Sequence, residues 1–286
     1  MRIRTVIFGI TICIIGLAWW VIPVFRSGVE YLGWKAFSAP AISSGFAQNG
    51  EVRIHYSIYG DGPPLVLLHG GLSSSLDWIG EIPELSRHYK VIAIDLRGHG
   101  LSSPGANPFT YRQFAQDVLA VLDSLSIASA DIAGWSDGGN VGLLFALQFP
   151  ERIGHLIAIS ANFNPGGILS EFRNNVPAET DSWIRRWLHR ITTGAPSLWP
   201  QHLKRVTQMW QHFPQLTTED LNRIRTPTLV VVGEHDYVKL AHARAMADAL
   251  PDGQLLVLSN VGHSIPRDAP DRLLKSMEQF LEDGAG

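Results

Sequence analysis

Six consecutive residues, Gly134-Trp135-Ser136-Asp137-Gly138-Gly139, carry the densest chemistry in this sequence of 286 residues. They follow a short apolar run, Asp131-Ile132-Ala133, and lead into a helical pattern from Asn140 to Leu147. A Gly-x-Ser-x-Gly between strand and helix predicts a nucleophile elbow, a turn so tight that the serine is strained and side chains at its flanks would clash. The Ser136 hydroxyl is then presented at a sheet end and a helix start, where free N–H groups favour negative charge. Such a hydroxyl can attack a carbonyl carbon if a base takes its proton and a third group orients the base.

The chain order expected after such an elbow is serine, acid, histidine. Gly233-Glu234-His235-Asp236 follows a late apolar run, and Ser259-Asn260-Val261-Gly262-His263 follows the last one. Asp236 is the candidate orienting acid, with Glu234 as its alternative, and His263 is the candidate general base. The other histidines are placed less well: His55 in a strand, His242 on a helix, and His189, His202 and His212 in an insertion. His99, in Asp95-Leu96-Arg97-Gly98-His99-Gly100, is expected to brace the site rather than titrate in it. A tetrahedral oxyanion also needs N–H donors. The Asp137 N–H directly follows the nucleophile, and the Gly71 N–H lies in His69-Gly70-Gly71-Leu72, after an early strand. Trp135, Asp137 and Leu72 flank these positions and are candidates for substrate contact.

These residues need a scaffold that brings distant loops to one edge. Val52 to Tyr59 alternates as a half-buried strand does. Leu65–Leu68, Val91–Ile94, Ile132–Ala133, Leu156–Ile159, Thr228–Val232 and Leu255–Leu258 are continuous apolar runs, the pattern of parallel strands buried on both faces. Helical patterns lie between them at Tyr111–Leu125, Asn140–Phe149, Ala241–Leu250 and Arg272–Leu281. The alternation predicts an α/β fold with a doubly wound, mostly parallel sheet over residues 51–286. Such sheets bind ligands beyond the carboxyl ends of their strands, where Ser136, Asp236 and His263 all fall.

One interval, about 161–224, lacks apolar strands. It holds Trp183, Trp187, Trp199 and Trp210, and reads as a helical cap over the site. Thr217-Thr218-Glu219-Asp220 resembles a helix start with a capping box. Residues 27–50 read as a linker. Before them, Thr5 to Phe25 carries no charge and is long enough to span a bilayer, with Arg2 and Arg4 ahead of it and Trp19 and Trp20 near its far end. Residues 1–26 are therefore expected to form a transmembrane anchor, with the catalytic domain outside the cytoplasm. The alternative is a signal sequence and a secreted product.

Composition limits the rest. A net charge of -3 offers no basic surface for nucleic acid. The 11 histidines show no HExxH or His/Cys spacing of a metal site. The one cysteine, Cys13, lies in the N-terminal apolar segment, so no internal disulfide can form and no thiol competes with Ser136 in the folded domain.

Taken together, HGG at 69–71, DLRGHG at 95–100, GWSDGG at 134–139, GEHD at 233–236 and GH at 262–263 resemble the α/β-hydrolase superfamily. The resemblance implies a serine hydrolase of carboxylic esters, lactones or related carbonyl bonds, with a small-molecule substrate, no cofactor and a lid after the sixth strand. It leaves open a carbon–carbon bond hydrolase, a perhydrolase or a non-catalytic ligand-binding member. Ser136 separates the chain from haloalkane dehalogenases and epoxide hydrolases of this fold, which place an aspartate there. The elbow is also similar to that of the valacyclovir hydrolase, or biphenyl-hydrolase-like, proteins. There the aspartate after the serine holds a substrate amino group, a role that would fall to Asp137. This chain departs from that pattern with HGG in place of PGM, and Asp137 can instead serve through its N–H and its charge at the helix start.

Overall fold

Eight strands form one sheet in the order β1-β2-β4-β3-β5-β6-β7-β8. The computed structural model describes residue 41 and residues 43–174, 186 and 198–283. The strands are β1 (Ser43–Asn49), β2 (Val52–Tyr59), β3 (Pro64–Leu68), β4 (Lys90–Ile94), β5 (Ala130–Trp135), β6 (Ile153–Ile159), β7 (Thr228–Gly233) and β8 (Gly253–Leu258). β1 and β2 run antiparallel, and every pairing from β4 through β3 and β5 to β8 is parallel. The fold class expected from the apolar runs is thus the one observed. Those runs are continuous because helices cover both faces of the parallel strands, leaving no polar face to alternate with.

The linker reading of residues 27–50 requires correction at its end, because Ser43–Asn49 is the edge strand. It pairs with β2 from Ser43 opposite Ile58 to Asn49 opposite Val52. Its sequence, Ser-Ser-Gly-Phe-Ala-Gln-Asn, buries only Ala47. No apolar alternation marks it, and pairing to a neighbour rather than a buried face makes it a strand. The segment expected as an anchor, 1–26, lies outside the described residues. Among the described residues no helix is long and apolar enough to cross a membrane.

The helices include α1 (Tyr111–Ser124), α2 (Asp137–Gln148), α3 (Trp199–His212), the short α4 (Thr218–Asn222), α5 (Leu240–Ala249) and α6 (Pro270–Asp283). Thr110 caps α1 by accepting the Gln113 N–H at 3.2 Å. α2 begins immediately after Ser136, three residues earlier than the apolar pattern suggests, and is buried without a break from Asp137 to Ala146. It is buried on all sides because the sheet and α1 enclose it.

Of the interval 161–224 expected as a cap, the two ends belong to the body. Ala161 and Phe163 join the core at one end, and Leu221 and Ile224 at the other. α4 starts with the expected capping box between Thr217 and Asp220. Between these ends, α3 buries Trp199, His202, Val206 and Met209 along one face. Trp183 and Trp187 lie outside the described residues.

Candidate active site

The elbow is built by close backbone approach. A side chain at Gly134 would place its Cβ 2.2 Å from the Gly138 carbonyl oxygen, and one at Gly138 would come 2.2 Å from that of Leu68. Both positions therefore require glycine. Ser136 between them adopts φ 55° and ψ −115°, a conformation that costs about 1–3 kcal/mol for a residue with a Cβ. Its neighbours hold it there: the Ser136 N–H donates to Ile159 O at 2.7 Å, and Ser136 O accepts the Asn140 N–H at 3.0 Å.

β7 and β8 deliver the other two side chains. His263 Nε2 lies 3.0 Å from Ser136 Oγ, and His263 Nδ1 lies 2.8 Å from Asp236 Oδ1. An ionised carboxylate only accepts, so Nδ1 carries the proton and Nε2 faces the serine with its lone pair. Burial alone would raise the Asp236 carboxyl. The adjoining His263, the Ser160 hydroxyl and the Val238 N–H outweigh it and hold the group below its ordinary range. Ser160 Oγ donates to Asp236 Oδ2 at 2.6 Å, and Val238 N–H donates to Oδ1 at 2.9 Å. Glu234, the alternative acid, instead accepts the Asn260 N–H at 2.9 Å and braces the loop ahead of His263. The imidazole stacks on Tyr237 with ring centroids 3.7 Å apart.

The loop at 69–72 is held by buried polar groups. The Leu72 N–H donates to His99 Nε2 at 3.1 Å, while His99 Nδ1 donates to Arg97 O at 3.0 Å. His69 Nε2 accepts the Leu96 N–H at 2.9 Å, and Asp77 accepts the Gly70 N–H at 3.3 Å. His99 thus braces the loop, as expected of it. Leu72 takes φ 58°, so the loop doubles back with the Gly71 N–H between these anchors. The Asp137 N–H occupies the first position of α2, where a helix has no partner of its own to offer. Trp135 packs against Gly70 and donates its Nε1–H to His263 O at 2.8 Å. Both Trp135 and Leu72 are therefore engaged within the protein.

The Asp137 carboxyl is the least expected part of the site. The residue is 3% exposed. Its Oδ1 accepts the Tyr111 hydroxyl at 2.7 Å, and the Trp210 indole N–H lies 2.9 Å from both oxygens. Burial pushes this carboxyl up. The Trp210 and Tyr111 hydrogen bonds and the nearby His69 and His263 act in the opposite direction without offsetting it. Neither Tyr111 nor Trp210 has a sequence signal for this role. Ser160, Tyr237 and Asp77 were likewise not legible as parts of the site.

The alpha/beta hydrolase fold family matches residues 63–195, which include both the 69–71 loop and the elbow. This match and the sheet order give the chain the α/β-hydrolase fold. The carboxylesterase YbfK of Bacillus subtilis is 28% identical over 82% of this chain and 86% of its own length. The naproxen esterase of Bacillus subtilis superposes with a TM-score of 0.70, at 26% identity, over 91% of this chain and 98% of that one. A solved N-acyl homoserine lactone degrading enzyme superposes with a TM-score of 0.70, at 27% identity, over 82% of this chain and 99% of that one. The protein is thus an enzyme of this fold, and the chemistry its relatives support at family level is ester hydrolysis.

Proposed function

We propose that the protein is a serine hydrolase that cleaves carboxylic esters, lactones included, through an acyl-enzyme on Ser136. The observation that carries this reading is the 3.0 Å approach of His263 Nε2 to Ser136 Oγ, with the imidazole held at its other nitrogen by Asp236. Ser136 Oγ attacks the ester carbonyl as its proton passes to His263 Nε2. The oxyanion takes hydrogen bonds from the Asp137 and Gly71 N–H groups. His263 then returns the proton to the departing alcohol, leaving Ser136 acylated. A water activated by His263 attacks the acyl carbon in turn and releases the acid. The carboxylesterase and lactone-degrading relatives support this substrate class. A fluorophosphonate probe followed by peptide mass spectrometry should mark Ser136, and Ser136→Ala should lower ester kcat by about 10⁴–10⁶. A normal rate in that variant, or a probe on another serine, would refute the assignment.

We also propose that residues 1–26 anchor the domain to a membrane and leave it outside the cytoplasm. The uncharged run from Thr5 to Phe25 supports the anchor, and Arg2 and Arg4 ahead of it support the orientation. The full chain should stay with carbonate-washed membranes and be cut by protease added from outside. Release of a shortened chain into the medium would favour the secreted alternative.

A further inference from the structure

The Asp137 carboxylate lies where the proposed reaction has no use for it. A methyl group on Gly71 would sit 2.4 Å from Asp137 Oδ2 and 2.6 Å from Trp210 Cζ2. Both the carboxylate and the indole therefore rest on the loop residue whose N–H is assigned to the oxyanion. A negative charge beside a developing oxyanion opposes it, most strongly where water is excluded. A buried carboxylate in this position needs a donor. One source would be a cationic group on the substrate, and another is the protein itself.

The geometry favours the protein. Tyr111 and Trp210 supply hydrogen bonds to both carboxylate oxygens. Trp210 is placed by the seat of α3 rather than by Asp137 alone. On the same helix, Val206 and Met209 are buried. Arg205 donates to the carbonyls of Pro104, Gly105 and Asn107, and its guanidinium lies 3.9 Å over the Phe109 ring. His202, three residues before Arg205, packs edge-on against His99 with centroids 4.6 Å apart. The cap helix thus carries an indole N–H to a fixed point on the elbow.

We propose that Trp210 determines the charge class of the substrate. Its indole N–H closes the Asp137 carboxylate, so the enzyme takes esters whose group beneath the cap is neutral and rejects α-amino esters. This inference rests on the ester-hydrolase reading of the same site. Without the indole N–H, the carboxylate lacks a donor that a substrate ammonium can replace.

The test compares the benzyl esters of an α-amino acid and of its des-amino analogue, at about pH 6.5 where the amine is a cation. The wild-type enzyme should favour the neutral ester by at least about tenfold in kcat/KM. Trp210→Phe keeps a ring and loses the N–H, while Trp210→Ala also opens space. In either variant the preference should move toward the amino ester by about tenfold or more, and adding Asp137→Asn should erase that gain. Circular dichroism identifies which variants are folded, and the wild-type ratio needs no variant at all. A wild type that takes both esters equally, an unchanged ratio in a folded Trp210 variant, or a gain that survives Asp137→Asn would overturn the inference. Survival of neutral-ester hydrolysis in Ser136→Ala would instead sink the reading on which it rests.

Discussion

Protonation of His242 should destabilise the fold within a defined pH window. The residue lies on α5, with its ring stacked on Phe163 at a centroid distance of 3.9 Å and an interplanar angle of 9°. Its Nε2 accepts the Phe163 N–H at 3.1 Å, which only a neutral imidazole can do. Burial, and then the charge of Lys239, lower its pKa from 6.5 to about 4. The unfolded chain therefore binds a proton between these values that the folded chain does not, so stability falls as pH drops from about 6.5 to about 4 and this group adds nothing further below that. At 1.36 kcal/mol per pH unit the interval sets a ceiling of about 3 kcal/mol, and solvent screening at this half-buried ring reduces it to about 2 kcal/mol. His242→Gln keeps an acceptor for Phe163 and cannot titrate. Urea unfolding from about pH 7.5 to pH 4 should show the wild type losing about 2 kcal/mol more than this variant across the window. Parallel curves for the two proteins would refute the reasoning.

Two further changes probe the catalytic loops. Ser160→Ala removes the 2.6 Å hydrogen bond to buried Asp236 and should cost about 1.5–3 kcal/mol of stability and about tenfold in kcat. Asp236 is held below its ordinary value, so the stability it contributes is present above about pH 4 and is lost as pH falls through its folded value. The deficit of the variant in thermal unfolding should therefore be full at neutral pH and shrink in acid, and a deficit independent of pH would exclude the charged hydrogen bond as its cause. Gly71→Ala drives a methyl into Asp137 and Trp210 and displaces the loop N–H. Steady-state kinetics should show kcat reduced about 100-fold with KM little changed, whereas an unchanged kcat would remove Gly71 from the oxyanion site.

The parts of the site legible in the sequence are those fixed by the backbone. Gly134 and Gly138 are forced by carbonyl oxygens 2.2 Å from any Cβ, so the motif is a steric requirement that any reading of the chain can find. Asp236 and His263 are legible because parallel strands deliver their following loops to one edge. Ser160, Tyr111 and Trp210 were not, because each reaches its partner across the fold with no local pattern: Trp210 stands 73 positions from Asp137. β1 was missed for a related reason. Its polar, Gly-containing sequence has no buried face to alternate, and only its pairing with β2 defines it.

The elbow and α3 make separate contributions to the site. The strain at Ser136, about 1–3 kcal/mol, is offset within the body of the fold. Val141, Leu143 and Phe145 of α2 are fully buried, and at about 1.5–3 kcal/mol each they exceed that strain without help from α3. The serine, its histidine and its acid are likewise tied to β5, β6, β7 and β8 and to the loops that follow them. α3 reaches the elbow itself through Trp210 on Asp137 and touches the reacting atoms nowhere in that contact. Changes along α3 should therefore alter which esters are accepted while leaving the angle of attack intact. On the proposed assignments, the Asp137 side chain shares a residue with an oxyanion N–H, and selectivity and catalysis meet there.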